Sequence, residues 1–377
     1  MPRKGENIYK RKDGRWEGRY TIGRTIEGKI IYKSIYGHSY LEVKEKLIIQ
    51  KSMYQKDNVI ISNKMIITTI SKEWLTFIRE HVKESSFIKY NNIIENYIIV
   101  NLGNLKIKDL NIEYINLFIL NLKKGGGKKK KQLSIKTVAD IFSVLKQILK
   151  YAERVYQINI CDLSGLKIKL KKQPIKILTQ DECKILIKYL VKYANKINIG
   201  ILLALFTGIR IGELCALKYK NILFDEAIMI ISETLQRIQK KDHKSLKKTK
   251  IIITTPKTMS SIRKIPIPLS ILPLIVKVYS NGSGFLLTGD ENKFIEPRTI
   301  QNRFRKILNE TKISQINFHI LRHTFATQCL INGMDIKSLS EILGHANVNI
   351  TLDKYVHPSF EEKRRNMNKL GEYLTVK

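Results

Sequence analysis

Residues 317–330 read NFHILRHTFATQCL, a run whose apolar positions fit a buried helix but which carries three polar heads on one turn. A helix brings positions i, i+3 and i+4 to one face, so His319, Arg322 and His323 cluster on one side. Burying a guanidinium is expensive unless it meets a counter-charge. The stretch therefore predicts a core helix whose charged turn borders something anionic, either an internal carboxylate or a ligand. Reading His319 and His323 as a zinc pair fails on Ile320, which stands where the H-E-x-x-H motif needs glutamate. No metal and no cofactor are expected.

Outward from this helix, other polar residues sit in equally apolar settings. Arg210 lies in FTGIRIGELCAL, just past Gly208, and its ordinary role would be an ion pair with Glu213 three residues on. His345 follows Gly344, a C-cap candidate, and Tyr355 comes ten residues later. Thr179 opens a helix, T-Q-D-E making a capping box with Glu182. Three short strands are expected in EAIMIIS, KTKIIITT and SIRKIPIP. Residues 178–377 thus read as a mostly helical α+β domain with a small sheet.

Residues 63–160 change character. Helix-period apolar stripes run through TISKEWLTFIREHV, SSFIKYNNIIENYIIVNLG, NIEYINLFILNL and SIKTVADIFSVLKQILKYAERVY, a four-helix domain. KKGGGKKKKQ reads as a flexible basic loop in which Lys128, Lys129 and Lys130 would track a phosphate backbone, although a solvated loop would look the same. Residues 161–177 form a linker by their alternating lysines and Pro174, with Lys171 and Lys172 as further phosphate contacts. Residues 1–62 read as a three-stranded sheet plus helix. Asp13-Gly14 gives a two-residue hairpin signal, and the alternation after it puts Trp16, Gly18, Tyr20 and Ile22 on a packed face. Arg15 and Arg19 fall on the opposite, basic face, which suits a groove reader as well as plain solvent. The whole is multidomain, mainly α with small β-sheets.

The 377 residues hold 68 Lys+Arg against 33 Asp+Glu, a net charge of +35 spread along the chain. A field this positive implies a polyanionic partner, nucleic acid before an anionic membrane. No apolar run approaches the roughly 18 residues of a membrane span, and MPRKGENIYK lacks a signal-peptide core. Cys161, Cys183, Cys215 and Cys329 are scattered, as in reduced cytoplasmic proteins.

Four separated motifs, in this order, resemble the tyrosine recombinases, the phage-integrase family, over residues 178–358. TGIRIGEL resembles the first arginine box and maps Arg210. TPKTMSSIRKIPIP resembles the β-hairpin lysine box and maps Lys257, with Lys264 and Lys250 as neighbours that compete for the role. HILRH resembles the H-x-x-R box, giving His319 and Arg322, and leaves His323 as a packing residue. LGHANVNITLDKYVH resembles the closing box, giving His345 and the nucleophile Tyr355. The first 160 residues look like the arm-binding and core-binding domains of integrases from conjugative transposons and phages.

The resemblance implies a site-specific recombinase that cuts and rejoins DNA through a 3′-phosphotyrosyl ester to integrate and excise a mobile element. Two arginines plus histidines would clamp the negative charge of the five-coordinate phosphate. His319 would accept the phenol proton and Lys257 would protonate the leaving 5′-hydroxyl. It also implies double-stranded DNA with core-type and arm-type sites, a homotetramer on DNA, and room for an excision factor and a DNA-bending host protein. A type IB topoisomerase shares the chemistry but has no use for the N-terminal sheet. An idle sequence-specific DNA-binding protein has no use for the full polar set.

Overall fold

The N-terminal sheet forms as its alternation dictates. The computed structural model describes residues 7–24, 30–128, 130–158, 160–163, 165–166, 168–169, 176–240, 248–255, 262–279, 283–356 and 360–375. Lys129, Lys171, Lys172 and Lys257 lie outside the described residues. Packing divides the chain into two units, Met1–Lys172 and Gln173–Lys377.

In the first unit, β1 (Ile8–Lys10), β2 (Trp16–Arg24) and β3 (Ile30–Gly37) form an antiparallel meander covered by α1 (Tyr40–Lys64). The turn is longer by one residue than expected. Arg11 N–H bonds Arg15 O at 2.8 Å, Gly14 N–H bonds Arg11 O at 3.1 Å, and Gly14 takes φ +85°. This is a three-residue loop whose last residue is left-handed, a conformation suited to glycine. Val43 and Leu47 of α1 pack so closely on Gly18 that a Cβ there would meet Leu47 Cδ1 at 2.3 Å. Trp16 meets Tyr40 edge-on at 5.5 Å.

The opposite face departs from a plain basic surface. Glu17 is only 2% exposed at its centre. Arg19 Nε, Arg11 Nη1 and the Ser34 hydroxyl donate to it at 2.8, 3.0 and 2.7 Å. Burial works to raise its pKa, but these hydrogen bonds hold it down to about 2. Arg15 is likewise spent in part on Asp13, at 2.9 Å. Alternation placed the side chains correctly, but not the acid that organises them.

The helical layer follows: α2 (Ile67–Ile78), α3 (Glu84–Ile93), a π-turn (Ile94–Ile98) running into α4 (Ile99–Leu102), α5 (Ile112–Lys124) and α6 (Ile135–Tyr156). Val138, Ile141, Phe142, Leu145, Ile148, Leu149 and Ala152 form the buried stripe of α6, and the Ser134 hydroxyl caps its first turn. The glycine loop after α5 is pinned rather than flexible. Gly125 ends the helix with φ +108°. Gly127 lies where a Cβ would meet Tyr97 at 2.5 Å, and Lys128 N–H bonds Asn96 O at 3.1 Å. The lysine side chains of Lys128 and Lys130 stay exposed.

The second unit starts with α7 (Gln180–Lys192), whose Thr179–Glu182 capping box is present in both directions, and α8 (Lys196–Thr207), buried almost throughout. Then come α9 (Ile211–Ala216), β4 (Ile222–Leu223), β5 (Ile228–Ile231), β6 (Thr234–Gln239), β7 (Thr249–Thr254) and β8 (Arg263–Pro266). The chain closes with α10 (Leu272–Tyr279), α11 (Pro297–Glu310), α12 (His319–Ile331), α13 (Ile336–Leu343), α14 (Asn349–Tyr355) and α15 (Phe360–Thr375). The strands make two sheets, β4-β5-β8 and β6-β7. β7 and β8 therefore do not pair with each other. Thr254 of β7 pairs with Thr234 and Ile265 of β8 with Met229, and residues 256–261 between the two strands lie outside the described residues. Among the described residues no helix is long and apolar enough to cross a membrane.

Candidate active site

Three elements of the second unit bring arginines together, and two of those arginines bond one carboxylate. Gly208 ends α8 at φ +64°, and a Cβ there would meet Phe325 Cδ1 at 2.4 Å. This tight left-handed turn aims Arg210 at the start of α9. Glu213, at the third position of that helix, reaches back to the Arg210 backbone N–H at 2.9 Å and accepts from Arg210 Nη1 at 2.7 Å. The pairing expected from the three-residue spacing is thus real, but Glu213 has a second partner. Arg263 of β8, itself buried, donates from both terminal nitrogens at 3.2 and 2.9 Å. Burial opposes ionisation of Glu213, yet Arg263 and then Arg210 hold its pKa below the usual carboxylate range.

Strand alternation decides a further point. Arg263 faces inward, so the adjacent Lys264 is exposed on the other side. Lys264 therefore does not share the face of the arginine cluster. Lys250 lies on β7, paired with Ile238.

Arg322 is 2% exposed, as the burial argument for α12 required. Its guanidinium donates to backbone carbonyls, Nη1 to Gly208 O at 2.8 Å and Nη2 to Leu343 O at 2.6 Å. Arg210 Nη2 similarly donates to Gly344 O at 3.2 Å. Gly344 caps α13 at φ +62°, so the last carbonyls of that helix turn to the arginines. Desolvation, followed by Arg210, lowers the Arg322 pKa to about 9, which leaves it charged at neutral pH. Among the described residues, Arg210 and Arg263 pair with Glu213, whose charge also acts on Arg322. The cluster keeps an excess of positive charge.

The histidines are arranged around this charge. His345 is half-buried with Nδ1 2.8 Å from Thr351 Oγ1. Desolvation, then Arg322 and Arg210, push its pKa down to about 3. His319, exposed at the start of α12, is pulled the same way by desolvation, His323 and Arg322. Tyr355, the last residue of α14, is half-buried. Burial raises its pKa, while the charges of Arg322 and Arg210 work to lower it.

The expected proton acceptor for that phenol was His319. The hydrogen bond instead goes to His323, whose Nδ1 is 2.7 Å from Tyr355 Oη. Helical spacing allowed either ring, and the docking of α14 selects the one a turn further into the helix. The contact between His323 and Tyr355 depends on the position of α14 and has no signal in the local sequence. Arg210, Arg322, His345 and Tyr355 surround one region; Glu213, expected as the partner of Arg210, and His323, expected as packing, join them, and Arg263 does so without having been singled out. Arg15, Arg19, Lys128 and Lys130 belong to the first unit.

A separate groove of about 800 Å³ opens beside α12, lined by Cys183, Ile187, Phe206, Phe325, Cys329 and Met334 among others. It holds none of the polar cluster and does not mark the chemistry. Among the described residues no group of His, Cys, Asp and Glu has the arrangement of a metal site.

A family model described as the phage integrase family matches residues 176–362. A second, the phage integrase N-terminal SAM-like domain, matches residues 67–122. The chain is 28% identical to a tyrosine recombinase XerC-like protein of Caldanaerobacter subterraneus subsp. tengcongensis, over 93% of this chain and 94% of that one. It is 31% identical to the transposase from transposon Tn916 of Enterococcus faecalis, over 46% of this chain and 45% of the relative. In fold it is similar to the Tn1549 transposon integrase in complex with transposon right end DNA. That likeness has a TM-score of 0.65 at 22% identity and covers 81% of this chain and 100% of the other.

Proposed function

Because this chain belongs to the phage integrase family and is a site-specific tyrosine recombinase, we propose that it cuts and rejoins double-stranded DNA through an ester between Tyr355 and a 3′-phosphate, moving a mobile element. The observation that carries this reading is the excess of buried guanidinium charge beside a tyrosine hydroxyl. Arg210 and Arg322 offer forks that match the non-bridging oxygens of a phosphate. They are held by carbonyls and Glu213 before substrate arrives, so little reorganisation is needed when charge develops in the transition state. His319 and His345 add donors at the rim. Lys257, in the segment after β7, is the acid for the leaving 5′-oxygen. The ester stores the energy of the broken bond, so rejoining needs no ATP.

One active site cuts one strand, and exchange between two duplexes involves four strands, so the working form is a homotetramer on DNA. The relative from Tn916 supports a mobile element as the cargo. The N-terminal sheet is the reader of outer, arm-type sites, with Arg15 and Arg19 as its contacts once they exchange Asp13 and Glu17 for phosphate. Residues 63–160 and the lysines at 128–130 and 171–172 grip the core site. An excision factor and a DNA-bending host protein would join at arm-type sites, and the work takes place in the cytoplasm.

A transfer assay with a labelled suicide duplex separates the readings. A recombinase forms the covalent adduct and joins the strand to a second duplex. A topoisomerase-like enzyme rejoins only its own duplex, and a binding protein forms no adduct.

A further inference from the structure

The hydroxyl of Tyr355 lies within hydrogen-bond distance of His323, a residue outside the H-x-x-R pair itself. His323 Nδ1 and Tyr355 Oη are 2.7 Å apart, with ring centroids at 5.6 Å. A phenol donates to Nδ1 only when the ring carries its proton on Nε2, since a protonated imidazole has no lone pair to offer. The distance lies inside the range at which a general base must sit from the proton it removes.

We propose that His323, rather than His319, is the general base for attack by Tyr355. The proton passes from Oη to His323 Nδ1 while the freed electron pair forms the bond from Oη to phosphorus. The bond from phosphorus to the 5′-oxygen breaks, and that oxygen leaves with a proton from a separate acid. On rejoining, the 5′-hydroxyl attacks phosphorus and gives its proton to the conjugate base of that separate acid, while Tyr355 departs and recovers its proton from His323.

The surroundings favour the unprotonated ring. His323 faces His319 and Arg322 from its own helix, and Lys354 and Tyr355 from α14. Desolvation, Lys354 and Arg322 all lower the His323 pKa, to about 4, so Nδ1 is free to accept at neutral pH. His319 packs edge-on against His323 at 4.6 Å and keeps its exposed edge for the phosphate. The division of labour follows from the helix: one turn apart, the two rings serve the substrate and the nucleophile.

The inference rests on Tyr355 being the nucleophile, and the experiment separates the two claims. Single-turnover cleavage of a nicked suicide duplex by the full-length protein is followed between about pH 6 and 9. Wild type is compared with His323→Ala, His323→Asn, His319→Ala and Tyr355→Phe, with thermal melting to confirm folding. His323→Ala is expected to be slower by about 10²-fold or more at neutral pH. Its rate should climb about tenfold per pH unit, as hydroxide replaces the missing base below the phenol pKa of about 10. His323→Asn keeps an acceptor without the basicity and should show the same slope, which covers a failure of the alanine variant to fold. His319→Ala should retain the level profile of the wild type. A level profile in the His323 variants, or the slope appearing in His319→Ala instead, overturns the assignment of the base. Adduct formation by Tyr355→Phe would overturn the nucleophile itself, whichever histidine serves it.

Discussion

Glu213 decides how much positive charge this site keeps in place before DNA arrives. It is 3% exposed and bridges Arg210, its near neighbour in sequence, to Arg263, fifty residues on. Removing one partner of a buried ionic network strands the others and typically costs about 3–5 kcal/mol. Glu213→Ala is therefore expected to lose stability of that order in urea denaturation, and a loss below about 1 kcal/mol would mean solvent replaces the carboxylate. Arg322 is a different case, since it bonds carbonyls and leaves its charge uncancelled. Arg322→Lys keeps the charge and loses the fork. Cleavage should fall by about 10²–10³-fold while DNA binding measured by gel shift changes little. A parallel fall in both would make Arg322 an ordinary phosphate anchor. At this scale, Arg210, Arg322, His345 and Tyr355 were legible because each stands in a motif. The contacts of Arg263 with Glu213 and of His323 with Tyr355 were not, because they join residues with no periodic relation.

Among elements, the helix ends set the geometry. α8 and α13 both end on left-handed glycines, Gly208 and Gly344, and the carbonyls around these two turns receive the arginines. Gly208→Ala adds a left-handed strain of about 1–3 kcal/mol and a Cβ against Phe325. It should lower the melting temperature and slow cleavage together, since Gly208 O holds Arg322; an unchanged melting temperature would contradict the packing described. The histidines make a second prediction. His323 and His345 have folded pKa values of about 4 and about 3, below the ordinary 6.5, so the unfolded chain binds protons that the folded chain refuses. Free protein should then lose stability as pH falls from about 6.5 toward 4. Thermal melts across that range test the sign, and a melting temperature that rises on acidification would refute it. Elements with strong local signals, such as the Thr179 capping box and the stripe of α6, were readable from sequence. β6, TLQRIQ, was not, because its polar alternation gives only two buried residues, Leu235 and Ile238. The pairing of β7 with β6 rather than β8 was also hidden, because strand partners are chosen by packing at a distance.

For the whole molecule, the net charge of +35 provides affinity for DNA, and the site provides the chemistry. Charge and composition announced the partner, yet they could not tell a contact from an internal ion pair: Arg15 and Arg19 both meet acids within their own sheet. A chain beginning near residue 63 should still cleave a short crossover duplex but lose arm-type binding and complete integration. Full integration by that shortened chain would remove the arm-reading role. The central claim is that Tyr355 becomes covalently joined to a 3′-phosphate. It is tested most directly by trapping the protein on a nicked suicide duplex, digesting both components, and locating the nucleotide remnant by mass spectrometry. The remnant is expected on the peptide containing Tyr355 and on no other tyrosine, with no such peptide from Tyr355→Phe. A remnant on a different residue, or an adduct that persists in Tyr355→Phe, would contradict it.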